Sequence, residues 1–138
     1  MIIILDANIL ISALISDSTT RRLIVTSNIP LYFPDIMLRE VYEHEELILE
    51  KSGLSKDEYK QLLDVLLRYI RFISSKDMLE NLNEATQIMS AIDIKDAPFI
   101  AAALSNETAV IWSDDKHFKR QSRIKSYTTT EIMSILEN

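Results

Sequence analysis

Ile2-Ile3-Ile4-Leu5-Asp6-Ala7-Asn8 opens the chain with four apolar residues and no polar alternation, three of them β-branched. Such a run reads as a strand buried on both faces, the type found in the middle of a parallel sheet. A carboxylate follows at once. An ionised Asp beside a buried strand is costly unless a cation or a hydrogen-bond donor meets it. Helix capping is a weak reason for Asp6, because the next clear helix starter, Ser18, lies far downstream. Asp6 is therefore the position to explain.

Outward from this strand, Ala109-Val110-Ile111-Trp112 is a second continuous apolar run and ends in Ser113-Asp114-Asp115. Shorter strands are predicted at 31–33 and 72–74, with an edge strand at 125–127. Helices are predicted at 8–14, at 18–27 with Asp17 or Ser18 as N-cap, and at 35–52 with Asp35 as N-cap. In the last of these, Met37, Val41, His44 and Ile48 share one face, and Gly53 stands where a helix C′ glycine belongs. Ser55-Lys56-Asp57-Glu58 has capping-box spacing and opens a helix to about Tyr69. Its apolar arc of Tyr59, Leu62, Leu63, Leu66, Leu67 and Ile70 is wider than one sheet face needs, which predicts a homodimer. Further helices are predicted at 79–90, at 96–104 with Pro98 in the first turn, at 116–121 and at 130–136.

Strands alternating with helices make an α/β fold, a three-layer α/β/α sandwich with a mostly parallel central sheet and right-handed crossovers. The length, 138 residues, fits one domain spanning residues 1–138. In such sheets ligands bind beyond the carboxyl ends of the strands. Asp6 and the Asp114-Asp115 pair follow buried strands directly, so topology places them on one edge.

Composition excludes much. There is no Cys, which removes disulfides, thiolate catalysis and cysteine-held metals. Only two His are present, His44 and His117, so a metal is expected to be held by oxygen. A single Gly leaves no room for a P-loop or a dinucleotide fingerprint. No apolar run reaches membrane-span length, and the first residues carry no basic segment before their apolar run. The expectation is a cytoplasmic protein without a signal peptide. Net charge is −6, which by itself speaks mildly against nucleic acid as a partner.

Four carboxylates are candidates for chemistry. Asp6 is the first. Glu40 projects from the border of an apolar stripe, whereas Glu43, Glu46 and Glu50 form a solvated acidic face. Asp96 and Asp115 each open a helix, and either alone reads as an ordinary N-cap. Together the four are predicted to face one sheet edge. Packed carboxylates raise one another's pKa values and destabilise the fold. A divalent cation resolves that conflict, and an all-oxygen set suits Mg²⁺ or Mn²⁺. Such an ion polarises a phosphodiester and activates water.

These residues resemble the PIN-domain ribonucleases, in particular the small single-domain archaeal and bacterial proteins related to toxins of toxin–antitoxin pairs. The matching pieces are Leu5-Asp6-Ala7-Asn8-Ile9-Leu10, Glu40, Asp96-Ala97-Pro98-Phe99-Ile100-Ala101-Ala102 and Ile111-Trp112-Ser113-Asp114-Asp115-Lys116-His117-Phe118. The resemblance implies a parallel sheet flanked by helices and an Mg²⁺- or Mn²⁺-dependent endoribonuclease acting on single-stranded RNA, with an antitoxin protein as a further expected partner. It implies Asp6, Glu40, Asp96 and Asp115 as the acidic quartet. Asp6, Asp96 and Asp115 hold the metal, and Glu40 and Asp114 are further candidate ligands. Asn8 and Ser113 assist. Asp115 is preferred over Asp114 because it keeps the family's spacing to Phe118. His117 stands where relatives often have Asp, and is read here as a surface residue in a first helical turn.

Lys116, Lys119, Arg120, Arg123 and Lys125 form a basic cluster that starts beside Asp115 and is expected to attract RNA. Two other readings stand beside the nuclease. One is a non-catalytic module of the same fold that binds nucleic acid or dimerises. The other is a phosphatase of the haloacid dehalogenase type, which requires a second Asp two residues after the first, where this chain has Asn8.

Overall fold

The computed structural model describes residues 1–16 and 19–137. The predicted caps Asp17 and Ser18 lie outside the described residues. Five strands form one sheet: β1 (Ile2–Leu5), β2 (Leu31–Pro34), β3 (Ile70–Ile73), β4 (Ala109–Trp112) and β5 (Ser126–Tyr127). Their order is β3-β2-β1-β4-β5, and all pairings are parallel rather than mostly so. β1 is the central strand. Ile3, Ile4 and Leu5 are wholly buried, as the unbroken apolar run requires. The chain steps from β1 to β2 and β3 on one side, then crosses to β4 and β5 on the other. The point where the direction reverses lies between β1 and β4, the place where such sheets bind ligands.

Helices cover the sheet in two groups. α1 (Ala7–Ile15), α2 (Thr19–Thr26), α3 (Leu38–Glu43), α4 (Glu45–Ser52), α5 (Lys56–Leu67) and α9 (Thr129–Glu137) pack among themselves. α6 (Ser75–Leu79), α7 (Leu82–Met89) and α8 (Ala97–Leu104) form the second group. α8 lies flat across β1, β2 and β4. Its small side chains Ala97, Ala101, Ala102 and Ala103 are all buried, and they allow this close approach. The result is the expected α/β/α sandwich.

Local details depart from the sequence reading in four places. The helix predicted over 35–52 is three pieces: a 3-10 turn Asp35–Met37, then α3, then α4. Asp35 therefore lies inside a turn and caps nothing. The break falls at His44, whose φ of −97° and ψ of 11° leave the helix, while its Nδ1–H donates to the Glu40 carbonyl at 2.7 Å. Apolar periodicity runs through the break unchanged, so it gave no sign of it. The helix predicted over 79–90 is α7, which starts only at Leu82, and a short helix that the sequence reading did not include, α6, precedes it, started by the Ser74 hydroxyl accepting the Asp77 N–H. Leu79 is consequently exposed.

α5 ends at Leu67, and Ile70 begins β3 instead of extending the helix. Its capping box forms as expected, with Ser55 and Glu58 exchanging bonds of 3.1 and 3.0 Å. Gly53 takes the left-handed conformation that ends α4, at φ 72°. Within one chain Tyr59, Leu63, Leu66 and Ile70 are buried, and Leu62 and Leu67 are partly buried against the core. The arc is thus largely covered by α1, α2 and β3. It supplies no argument for a second subunit.

Candidate functional site

β1 and β4 run side by side and end level, with Leu5 opposite Trp112. The pairing continues one step further, since the Asp6 N–H donates to the Trp112 carbonyl at 3.0 Å. This places Asp6 and Ser113 together at the switch point. Asp6 is 3 % exposed and occupies the N-cap position of α1, yet its carboxylate makes no capping hydrogen bond. Instead Oδ2 accepts from the buried Ser113 hydroxyl at 2.8 Å. The same Ser113 oxygen accepts the Asp115 N–H at 3.0 Å. One serine therefore holds two of the expected acids in register.

Asp115 is in part the ordinary cap that sequence allowed. Its Oδ1 accepts the His117 N–H at 2.9 Å and starts the 3-10 turn Lys116–Arg120. Asp96 is not a cap. The turn Ile94–Asp96 before α8 is capped by Asp93, which takes the Lys95 N–H at 3.1 Å, and the Asp96 carboxylate makes no capping bond. A ladder of edge-on aromatic rings sets the distance between these turns. Phe118 meets Phe99 of α8 at 6.2 Å, and Phe99 meets Phe33 of β2 at 6.0 Å. Phe33 precedes the connection to α3, which carries Glu40 in its first turn.

The acids feel one another. Burial raises Asp6 to about 6. The Ser113 hydroxyl and the Asn8 backbone oppose that rise, while Glu40 and Asp115 add to it. Asp96 is raised to about 7, first by burial and then by the charges of Asp6, Asp93 and Asp115, with His117 acting in the other direction. Burial also raises Glu40, against the pull of His44 and Lys95. The four acids singled out in the sequence thus belong to one negative field at one sheet edge. Beside them a groove of about 360 Å³ is lined by Asn8, Ile9, Ser12, Asp114 and Asp115.

Two residues join the cluster that the sequence reading did not include, Asp93 and His117. His117 is corrected from surface residue to cluster member, because its Nδ1 is buried and faces Asp115, Asp93 and Asp96 at 3.3, 3.5 and 3.6 Å. The signals were the spacings Asp93-x-x-Asp96 and Asp115-x-His117, each of which folds back within a 3-10 turn. Asp114 turns away. Its two oxygens accept the Thr129 N–H and hydroxyl, both at 2.7 Å, at the start of α9.

The basic residues are more scattered than their sequence suggests. Lys119 bonds the Ser126 carbonyl and Glu131 at 2.8 and 2.9 Å, and Arg123 pairs with Glu84 at 3.2 Å. Arg120 reaches the Ala91 carbonyl at 3.4 Å. Arg123 and Lys125 line a cleft with Met1, Thr108 and Ala109, at the starts of β1 and β4 and so away from the acids. Lys116 is exposed and adjoins Asp115.

A divalent cation fits this chemistry. Oxygen donors converge, and the Asp96 Oδ2 and His117 Nδ1 atoms are buried without a hydrogen-bond partner. One ligand atom from each of Asp93, Asp96 and His117 lies within 4.8 Å of the others. No described helix is long and apolar enough to cross a membrane. A family model described as PIN domain matches residues 4–136. No curated protein matches the chain.

Proposed function

We propose that this chain, which belongs to the PIN-domain family, is a metal-dependent endoribonuclease that hydrolyses single-stranded RNA. Membership of the family supports a nuclease, and the acidic cluster supports a metal. The observation that carries the reading is the burial of Asp6 beside Asp96, Asp115 and Glu40, with the Asp6 and Asp96 carboxyls raised to about 6 and 7 by burial and mutual charge, a repulsion that a bound cation would relieve.

Asp6, Asp96 and Asp115 would hold Mg²⁺ or Mn²⁺. When bound, the ion supplies polarisation of the phosphodiester and a lowered pKa for water. Ser113 keeps Asp6 and Asp115 in place. Glu40, partly buried and raised, is positioned to orient or deprotonate the attacking water. Asn8 is exposed at the groove and offers its amide to substrate. Lys116 supplies phosphate attraction, with Arg120 in a lesser role because it is engaged with Ala91.

The reading extends to a cytoplasmic single-domain protein that acts as a toxin held by an antitoxin, and to a homodimer. The support for a protein partner is the exposed apolar set Ile36, Tyr42, Leu47 and Val65 around α3 to α5, and not the arc of α5 itself. Light scattering at micromolar concentration checks the dimer, and a monomer there removes it. The nuclease is tested by Asp6→Asn. Purified wild type with Mn²⁺ should cleave single-stranded RNA, and the variant should not, while its fold and RNA binding persist. Cleavage that survives the substitution places the chemistry elsewhere. No cleavage by wild type favours the non-catalytic binding module.

A further inference from the structure

We propose that His117 is itself a metal ligand, through Nδ1, and that it makes the site select Mn²⁺ over Mg²⁺. This rests on the reading above that the acidic cluster holds a divalent ion. It adds a nitrogen donor that the carboxylate quartet lacks.

Geometry comes first. His117 Nδ1 lies 3.3 Å from Asp115 Oδ1, 3.5 Å from Asp93 Oδ2 and 3.6 Å from Asp96 Oδ2. A charge-assisted N–H···O bond closes to about 2.7–2.9 Å, and none of the three contacts does. Nδ1 and Asp96 Oδ2 are buried and face each other, yet neither has a hydrogen-bond partner. Leaving both atoms unmet is costly, and a shared cation meets both at once. Ligand bonds of about 2.1 Å put neighbouring donors of an octahedral ion about 3 Å apart, so the observed spacing needs only a small contraction.

The turn that carries the imidazole is also held where it is. The His117 N–H is tied to Asp115 at 2.9 Å, and the next residue, Phe118, is wholly buried against Phe99. The ring's other edge reaches solvent, since the side chain is 39 % exposed.

Donor chemistry then sets the preference. Mg²⁺ favours oxygen and retains its waters, whereas imidazole nitrogen raises affinity for transition ions. Mn²⁺ accepts carboxylate and imidazole together, and suits a mixed set.

The test is pulsed electron paramagnetic resonance on the intact protein loaded with Mn²⁺, with calorimetric competition between Mn²⁺ and Mg²⁺. Wild type should show an imidazole nitrogen coupled to the manganese. His117→Asn should lose the coupling, and its preference for Mn²⁺ over Mg²⁺ should fall by about tenfold. The only other histidine, His44, has its Nδ1 engaged with the Glu40 carbonyl at 2.7 Å. Manganese bound by wild type without nitrogen coupling overturns the proposal and leaves the metal site standing. Coupling that persists in His117→Asn assigns the nitrogen to His44 and overturns it as well. Failure of wild type to bind Mn²⁺ at all removes the metal site and this proposal with it. The wild-type spectrum decides the matter even if the variant folds poorly.

Discussion

Replacing Asp6 by Asn should stabilise the metal-free protein at neutral and alkaline pH. Asp6 is raised from 3.8 to about 6, chiefly by burial. Two units correspond to about 3 kcal/mol between its two protonation states. The folded carboxyl holds its proton more tightly than the unfolded one. Its contribution is therefore fully present below pH 3.8 and is lost as pH rises through about 6. Asn carries no charge and escapes that loss. Against this, the Ser113 hydroxyl exchanges a charged acceptor at 2.8 Å for a neutral one, a loss of about 1 kcal/mol. In EDTA near pH 8 the variant should be more stable by about 2 kcal/mol, and near pH 4 it should be equal or slightly weaker. Urea unfolding followed by circular dichroism at both pH values measures the difference. Saturating Mn²⁺ should reverse the order, because only wild type gains full binding energy. A variant that is less stable than wild type at pH 8 in EDTA, or a difference that ignores pH, refutes the account of Asp6 as a buried, strained charge.

Further expectations concern the surroundings. Asp114→Ala removes the acceptor at the start of α9 and should cost about 1 kcal/mol while leaving metal affinity unchanged; weakened metal binding would restore Asp114 as a ligand. Phe118→Ala should cost about 3–5 kcal/mol and, by loosening the turn behind Asp115, lower metal affinity too, so calorimetry on the folded fraction separates packing from positioning. Lys116→Ala should lower the salt dependence of RNA binding by about one in slope, whereas Arg123→Ala, paired with Glu84 and away from the acids, should leave it unchanged. Equal effects from the two would mean that RNA runs along both ends of the strands.

The unbroken apolar runs 2–5 and 109–112 made the central pair of strands readable, because two-sided burial leaves no polar alternation. Strand ends alone pointed to Asp6 and to the Asp114-Asp115 pair, and the choice of Asp115 within that pair rested on the resemblance and its spacing to Phe118. The rest of the site depends on short turns. Asp93 and Asp96 look alike in the sequence, and only the 3-10 geometry of residues 94–96 makes one a cap and frees the other. His117 looked like a surface residue because burial at its position comes from Phe118 anchoring the turn, not from its own apolarity. Asp114 and Asp115 differ by one residue and serve different elements, since Thr129 returns from β5 to claim the first. The break at His44 was invisible for the opposite reason: the apolar stripe of α3 continues into α4 in phase.

The pairing of β1 with β4 has a consequence for the order of events during synthesis. Asp6 and Ser113 are 107 residues apart and meet only once β4 has seated against β1. A growing chain that has emerged as far as α8 already carries Asp6, Glu40 and Asp96. It lacks the strand that holds Asp6 in place and the turn that brings Asp115. Closing so long a loop adds little entropic cost over a shorter one, but it cannot begin until β4 is free to pair with β1. Under the function proposed above, a chain that has emerged only as far as α8 lacks both the Ser113 bridge and Asp115, and so is inert toward RNA until β4 and the turn after it have followed.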